Sequence, residues 1–266
     1  MRQPKKVKIS LKAKKSFGQH FLHNKHTIDR IARLVLDSGM PRVLEVGPGK
    51  AALTRELILK VPEFLAIDAD PDMVRFLKSQ YPGHEDSFVL ADFLRFDLKQ
   101  IFDGQEFLLF GNFPYNISSQ IVFKALENRD RVPLLLGMFQ KEMAKRIVAT
   151  EGSKDYGILA VLSAQIYRSR LLFDIDPGQF TPPPKVMSSF IRMERLEEFP
   201  SKVQFDKLHR LVKTAFQFRR KTLRNNLKGI AGSEDILRDA YFDQRPEQIS
   251  PGEYLRLAGV FYPDTD

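Results

Sequence analysis

Asn112, Pro114 and Tyr115, set in the run Asn112-Phe113-Pro114-Tyr115, are the residues of this chain best equipped to act on a flat heterocyclic amine. The Asn112 side-chain oxygen and the Pro114 carbonyl can each accept one hydrogen from an exocyclic amino group, while the Tyr115 ring can cover a base face. That set of groups suits methyl transfer to N6 of adenine. A plain turn is the competing reading, since Asn and Pro commonly follow a strand. The apolar residues 107–110 and Gly111, directly ahead, read as that strand.

A second string, Glu45-Val46-Gly47-Pro48-Gly49-Lys50-Ala51-Ala52, opens a strand-turn-helix unit. Gly47 and Gly49 permit a ligand to approach the backbone at the carboxyl end of a strand. Ala52 stands where a dinucleotide fingerprint carries its third glycine, so the string fits a nicotinamide cofactor or S-adenosylmethionine equally. Asp68 closes the next strand at a spacing that suits ribose hydroxyls in either cofactor. Asp92 closes the third, placed to accept from the exocyclic amine of a bound adenine. Polar residues at three strand ends around one crevice favour S-adenosylmethionine and a catalytic reading.

Alternation of strands and helices positions these residues. A helix is expected over 27–36, strands at 42–46, 64–68, 88–90 and 107–110, and helices over 51–59, 72–79, 120–126 and 141–150. Ser118 is a candidate cap for the third of those last four helices. The spacing argues for a mostly parallel sheet covered on both faces, with segments 168–175 and 186–194 as strands closing an edge. After residue 196 the pattern turns wholly helical. The expected organisation is therefore a domain over 1–196, with a basic N-terminal arm, and a helical domain over 197–266.

The 266 residues include no cysteine and only five histidines, none paired at metal-ligand spacing, so no metal is expected. No stretch approaches a membrane span, and no secretory leader is apparent. The net charge of +9 is concentrated in residues 1–28 and 207–228, each holding eight Lys or Arg and no acid. A mildly acidic body with two basic appendages suits a catalyst that grips a polyanion. In the second segment Leu208, Leu211, Val212, Ala215 and Phe216 form an apolar helical stripe, leaving a basic face for phosphates.

Five segments carry a family resemblance: Phe17-Gly18-Gln19-His20-Phe21-Leu22, Glu45-Val46-Gly47-Pro48-Gly49, Asn112-Phe113-Pro114-Tyr115-Asn116-Ile117-Ser118, Gln140-Lys141-Glu142 and Phe180-Thr181-Pro182-Pro183-Pro184-Lys185-Val186. With these in this order the chain resembles, over nearly its whole length, the ribosomal RNA adenine N6,N6-dimethyltransferases, and most closely their bacterial small-subunit branch. The resemblance implies an α/β, Rossmann-like S-adenosylmethionine-dependent methyltransferase fold with a mostly parallel seven-stranded sheet and a small all-helical C-terminal domain. It implies N6,N6-dimethylation of two adjacent adenosines near the 3′ end of 16S rRNA in the small ribosomal subunit, with a role in late subunit assembly. The expected setting is a cytoplasmic monomer without membrane or DNA partners.

By the same resemblance His20 and Leu22 line the cofactor pocket from the arm, and Gly47, Gly49, Asp68, Asp92 and Asn112 complete it. The catalytic set is Asn112, Pro114 and Tyr115, with Phe180 closing the second face of the base; ordinary core is the competing reading for Phe180. The chain has His20 where the family often has Asn, Phe113 where Leu is more usual, and Asp68 where Glu is frequent. The related large-subunit (23S) methyltransferase of macrolide resistance and a non-catalytic assembly factor on the same fold are the alternatives.

Overall fold

The computed structural model describes residues 13, 14 and 17–263. It opens with a short strand β1 (Phe21–Leu22) and helix α1 (Lys25–Leu36). The Asn24 side chain starts α1 by accepting from the Thr27 amide at 3.0 Å, satisfying a donor that the first turn leaves free. Ile28, Ile31, Ala32 and Val35 recur at helical spacing and form its buried face. Alternating units follow: β2 (Arg42–Val46), α2 (Thr54–Leu57), β3 (Glu63–Asp68), α3 (Pro71–Gln80), β4 (Phe88–Leu90), β5 (Leu108–Asn112), α4 (Ser118–Glu127) and β6 (Leu134–Gln140). Next come α5 (Lys141–Val148), α6 (Ile158–Ile166), β7 (Tyr167–Ile175), β8 (Phe180–Thr181) and β9 (Ser188–Arg195). Three helices, α7 (Lys202–Ala215), α8 (Leu223–Leu227) and α9 (Pro251–Phe261), complete the order.

The seven-stranded sheet has the order β4-β3-β2-β5-β6-β9-β7. Pairing is parallel from β4 through β6. Val43, Leu44, Leu108, Leu109, Phe110, Leu135 and Leu136 are wholly buried, as befits parallel strands with both faces covered. The seven-stranded, mostly parallel sheet is the Rossmann-like arrangement that the motifs imply. β5 lies beside β2 rather than beyond β4, so the winding reverses between β2 and β5 and leaves a crevice past their carboxyl ends. Gly111 permits the close approach of these two strands, since a Cβ there would stand 2.5 Å from the Val46 carbonyl oxygen.

Local chemistry explains the departures from expectation. The helix anticipated over 51–59 contracts to α2, because Ala51 takes φ +65, which a right-handed helix excludes. Ser118 does not cap α4; Ile117 holds the cap position, and the Ser118 hydroxyl donates to the Tyr115 carbonyl at 3.1 Å. Helix α6 was not anticipated: five of its nine residues are buried and its apolar character lacks a clear helical period. The antiparallel pair β1–β8, with Leu22 opposite Phe180, was also unforeseen.

By contacts the chain falls into two compact units, residues 1–141 with 172–191, and residues 142–171 with 192–266. This division and a single cut after residue 196 differ chiefly over residues 142–171, which contain α6. In the second unit, α7 buries Phe205, Leu208, Leu211, Val212 and Ala215, and a reciprocal cap between Ser201 and Gln204 begins it. Among the described residues no helix is long and apolar enough to cross a membrane.

Candidate cofactor and base-binding site

Sheet order brings the sequence-separated polar residues together. Asp92 follows β4, Asp68 ends β3, Gly47 follows β2 and Asn112 ends β5, and these four strands are consecutive neighbours. They border one cavity of about 240 Å3 in the first unit, which His20, Leu22, Gly49, Pro114 and Tyr115 also line. Gly47 adopts φ +72, a conformation costly for residues with a side chain, and its backbone faces the Pro114 ring across 3.5 Å from an ideal Cβ position.

The acids of this crevice differ in state. Asp68 is 9% exposed, its two oxygens accepting from the Asp70 amide at 2.9 Å and the Gly49 amide at 3.4 Å. Burial pushes its carboxyl up to about 6, against the pull of those amides. Glu45, the penultimate residue of β2, also lines the cavity and was not among the expected site residues. Burial pushes it up to about 8, although Thr54 donates to it at 2.7 Å. A carboxyl set between Val43, Leu44 and Val46 of a parallel strand is the sequence signal that could have found it. Asp92 sits at the rim with a half-exposed side chain, accepting from the Leu94 amide at 2.9 Å.

The arm is tied down beside the crevice. Lys14 binds Asp70 at 2.6 Å and Asp72 at 2.7 Å, and Gln19 donates to Asp70 at 3.0 Å. Burial alone would raise the Asp70 carboxyl, but bonds from Lys14, Gln19 and the Asp72 amide bring it below the ordinary value. Lys14 is thus engaged with the body rather than displayed. Arg2, Lys5, Lys6, Lys8, Lys12 and Lys15 lie outside the described residues.

At the β5 end the Asn112 amide nitrogen donates to the His20 carbonyl at 2.8 Å. A carbonyl only accepts, so nitrogen must face it, and the Asn112 Oδ1 is left for another donor. The Pro114 carbonyl accepts from the Ile117 amide at 3.2 Å and keeps its second lone pair. Tyr115 is fixed by a 2.5 Å bond between its hydroxyl and that of Ser188, and its ring is stacked on His20 with centroids 5.4 Å apart. Burial raises the Tyr115 hydroxyl above its usual value. The His20 Nδ1 donates to the Pro182 carbonyl at 2.8 Å. Phe113 turns inward, its ring filling the space that the absent side chain of Gly137 leaves beside Phe139.

Phe180 requires correction. Its side chain is 2% exposed and belongs to the hydrophobic core, held there by the pairing of β8 with β1. It does not line the cavity, and the aromatic neighbour that Tyr115 has is His20. Among the basic residues of the second unit, Arg224 is engaged internally with Asp243 and the Leu237 and Asp239 carbonyls. Arg219 donates to the Ser153 carbonyl at 3.2 Å. Arg210, Lys213, Arg220 and Lys221 are exposed.

A family model described as "Ribosomal RNA adenine dimethylase" matches residues 10–256. The chain is 44% identical to the "Ribosomal RNA small subunit methyltransferase A" of Flavobacterium johnsoniae, over 93% of this chain and 95% of that one. A solved dimethyladenosine transferase from Plasmodium falciparum shares the fold, with TM-score 0.74 and 23% identity over 90% of this chain and 96% of the other. The solved 23S rRNA methyltransferase ErmE has TM-score 0.67 and 26% identity, over 91% and 99% of the two chains.

Proposed function

The chain belongs to the ribosomal RNA adenine dimethylase family, and from that premise we propose that it places two methyl groups on N6 of adenosines in the 16S rRNA of the small ribosomal subunit. The enzyme depends on S-adenosylmethionine, which supplies a sulfonium-bound methyl group as electrophile. The crevice fits that cofactor: Gly47 and Gly49 leave backbone room, Asp68 retains lone pairs for ribose hydroxyls, and Asp92 stands at the rim for an adenine amine. His20 and Leu22 close the same space from the arm. The relative at 44% identity carries a small-subunit name, whereas the large-subunit relative ErmE stands at 26%.

The observation that carries the mechanism is the orientation of Asn112. With its nitrogen bound to the His20 carbonyl, its oxygen can accept one hydrogen of the target amine. The Pro114 carbonyl accepts the other. Adenine N6 is a poor nucleophile because its lone pair is delocalised into the ring. Holding both hydrogens on two fixed acceptors favours a tetrahedral nitrogen with its lone pair free of the ring. Such alignment supplies a large share of barrier reduction, up to about 7–11 kcal/mol in well-oriented reactions. A strong base is unnecessary, since nitrogen becomes acidic as it gains the methyl and its proton passes to water. After one transfer a single hydrogen remains, and one acceptor suffices to hold it for the second. The base reaches these groups by leaving any stack, with Tyr115 against one face.

In this reading the exposed cations of the second unit grip phosphates, and the protein works as a cytoplasmic monomer on the assembling subunit. Incubation with unmodified ribosomal subunits and labelled methyl donor is expected to yield N6,N6-dimethyladenosine in small-subunit RNA. Label confined to large-subunit RNA would overturn the assignment. Asn112→Ala is expected to lower kcat by about 10²–10³-fold, the usual effect of removing one positioned polar group, while subunit binding persists.

A further inference from the structure

The turn between α7 and α8 holds a group that methyl transfer leaves unused. It runs Phe216-Gln217-Phe218-Arg219-Arg220-Lys221, and Phe218 is 59% exposed. The chain has 22 Phe and 7 Tyr, yet among the described residues no other member of either type is exposed. Phe216, two positions earlier and partly buried, instead packs against Tyr156 and Tyr254, with centroids 6.2 and 5.9 Å away. Phe218 is therefore displayed on a turn whose packed ring is Phe216.

The display is rigid. Asn226, buried at 7% exposure, donates from its amide nitrogen to the Ala215 carbonyl at 2.6 Å and to the Phe218 carbonyl at 3.1 Å. The Lys221 amide also donates to the Phe218 carbonyl, at 2.8 Å, and Arg219 is tied to the Ser153 carbonyl. A fixed frame spares the entropy of ordering a loop on binding. Arg220 and Lys221, exposed next in sequence, lie in a stretch from 207 to 228 that contains no acid. A flat apolar face beside fixed positive charge matches an unpaired nucleobase with its phosphates, because any base offers a π-face and the strand supplies the anions.

We propose that Phe218 is a stacking platform for one unpaired nucleobase of the RNA, with Arg220 and Lys221 on neighbouring phosphates. This rests on RNA being the substrate. The chain contains no tryptophan, so Phe218→Trp places a single indole at the position in question. In the full chain its fluorescence is expected to be quenched saturably by small-subunit RNA and by a single-stranded oligoadenylate, and left unchanged by duplex RNA. Phe218→Ala is expected to weaken binding of small-subunit RNA about 5- to 150-fold, the range for loss of one base–aromatic stack, with the salt dependence unaltered. Phe218→Tyr restores the affinity. Arg220→Ala instead reduces the salt slope by about one phosphate contact.

Cofactor affinity and melting temperature are expected to be unchanged in Phe218→Ala, since the ring is exposed. If wild-type protein methylates small-subunit RNA while Phe218→Ala binds it as tightly as wild type, the platform is disproved and the methyltransferase reading stands. Quenching of the indole by ribosomal proteins but not by RNA would also disprove it. If wild-type protein methylates neither subunit yet Phe218→Ala loses affinity for RNA, the platform stands and the substrate assignment falls.

Discussion

A carboxyl buried like that of Asp68 and pushed up to about 6 is fully ionised only above that pH. In its proposed role Asp68 accepts from ribose hydroxyls, which favours the anion, so affinity for S-adenosylhomocysteine is expected to rise as pH climbs through about 6 and then level, falling by up to about tenfold per unit below it. Calorimetric titration across that range measures the profile, and Asp68→Asn should flatten it. Glu45 bears on stability instead. Its folded value, about 8, lies above the unfolded one, so the folded state binds more protons between them. Its contribution is full below the unfolded value of about 4.3 and is lost as pH rises toward about 8. Melting of the free protein should therefore fall less steeply with pH in Glu45→Gln. Phe180→Ala is expected to destabilise by about 3–5 kcal/mol through the cavity it leaves, whereas Phe180→Leu keeps most activity. A large fall in kcat for a well-folded Phe180→Leu would restore the stacking role that burial denies.

At the scale of elements, Gly111→Ala tests how tightly the strand pair β2–β5 sets the site. The added methyl would meet the Val46 carbonyl oxygen at 2.5 Å, so the strands must part. A loss of about 1–3 kcal/mol in unfolding free energy is expected, with a fall in kcat/KM because Asn112 is the next residue. Denaturant titration alongside single-turnover rates separates the two effects. What could be read from the chain follows the same divide between local and distant causes. The Asn112–Tyr115 turn, the glycines after β2, the acid that ends β3 and the one after β4 announce themselves through neighbours in sequence. The burial of Phe180 does not, because it depends on pairing with Leu22 far earlier in the chain. Helix α6 escaped for another reason: with no polar face it has no period to detect. Nor could sequence foretell that Ala51 would take a left-handed conformation and shorten α2.

For the molecule as a whole, the count of basic residues overstates the grip on RNA. Lys14 is bound to Asp70 and Asp72, and Arg224 to Asp243 and two carbonyls, so neither is free to release counterions from a phosphate. Lys14→Met is therefore expected to leave the salt slope of RNA binding unchanged while weakening cofactor affinity, because the arm that carries His20 and Leu22 loses an anchor. Binding isotherms over a salt series, set beside cofactor titrations, check both halves. The arm has one more effect, through the imidazole it lays on Tyr115. A guest ring arriving on that face exchanges one aromatic neighbour for another, so the net gain from contact is small whatever the guest. In the proposed mechanism, choice among nucleobases then falls to the oxygens of Asn112 and Pro114, which in effect count hydrogens: an amino edge offers two, a keto edge none.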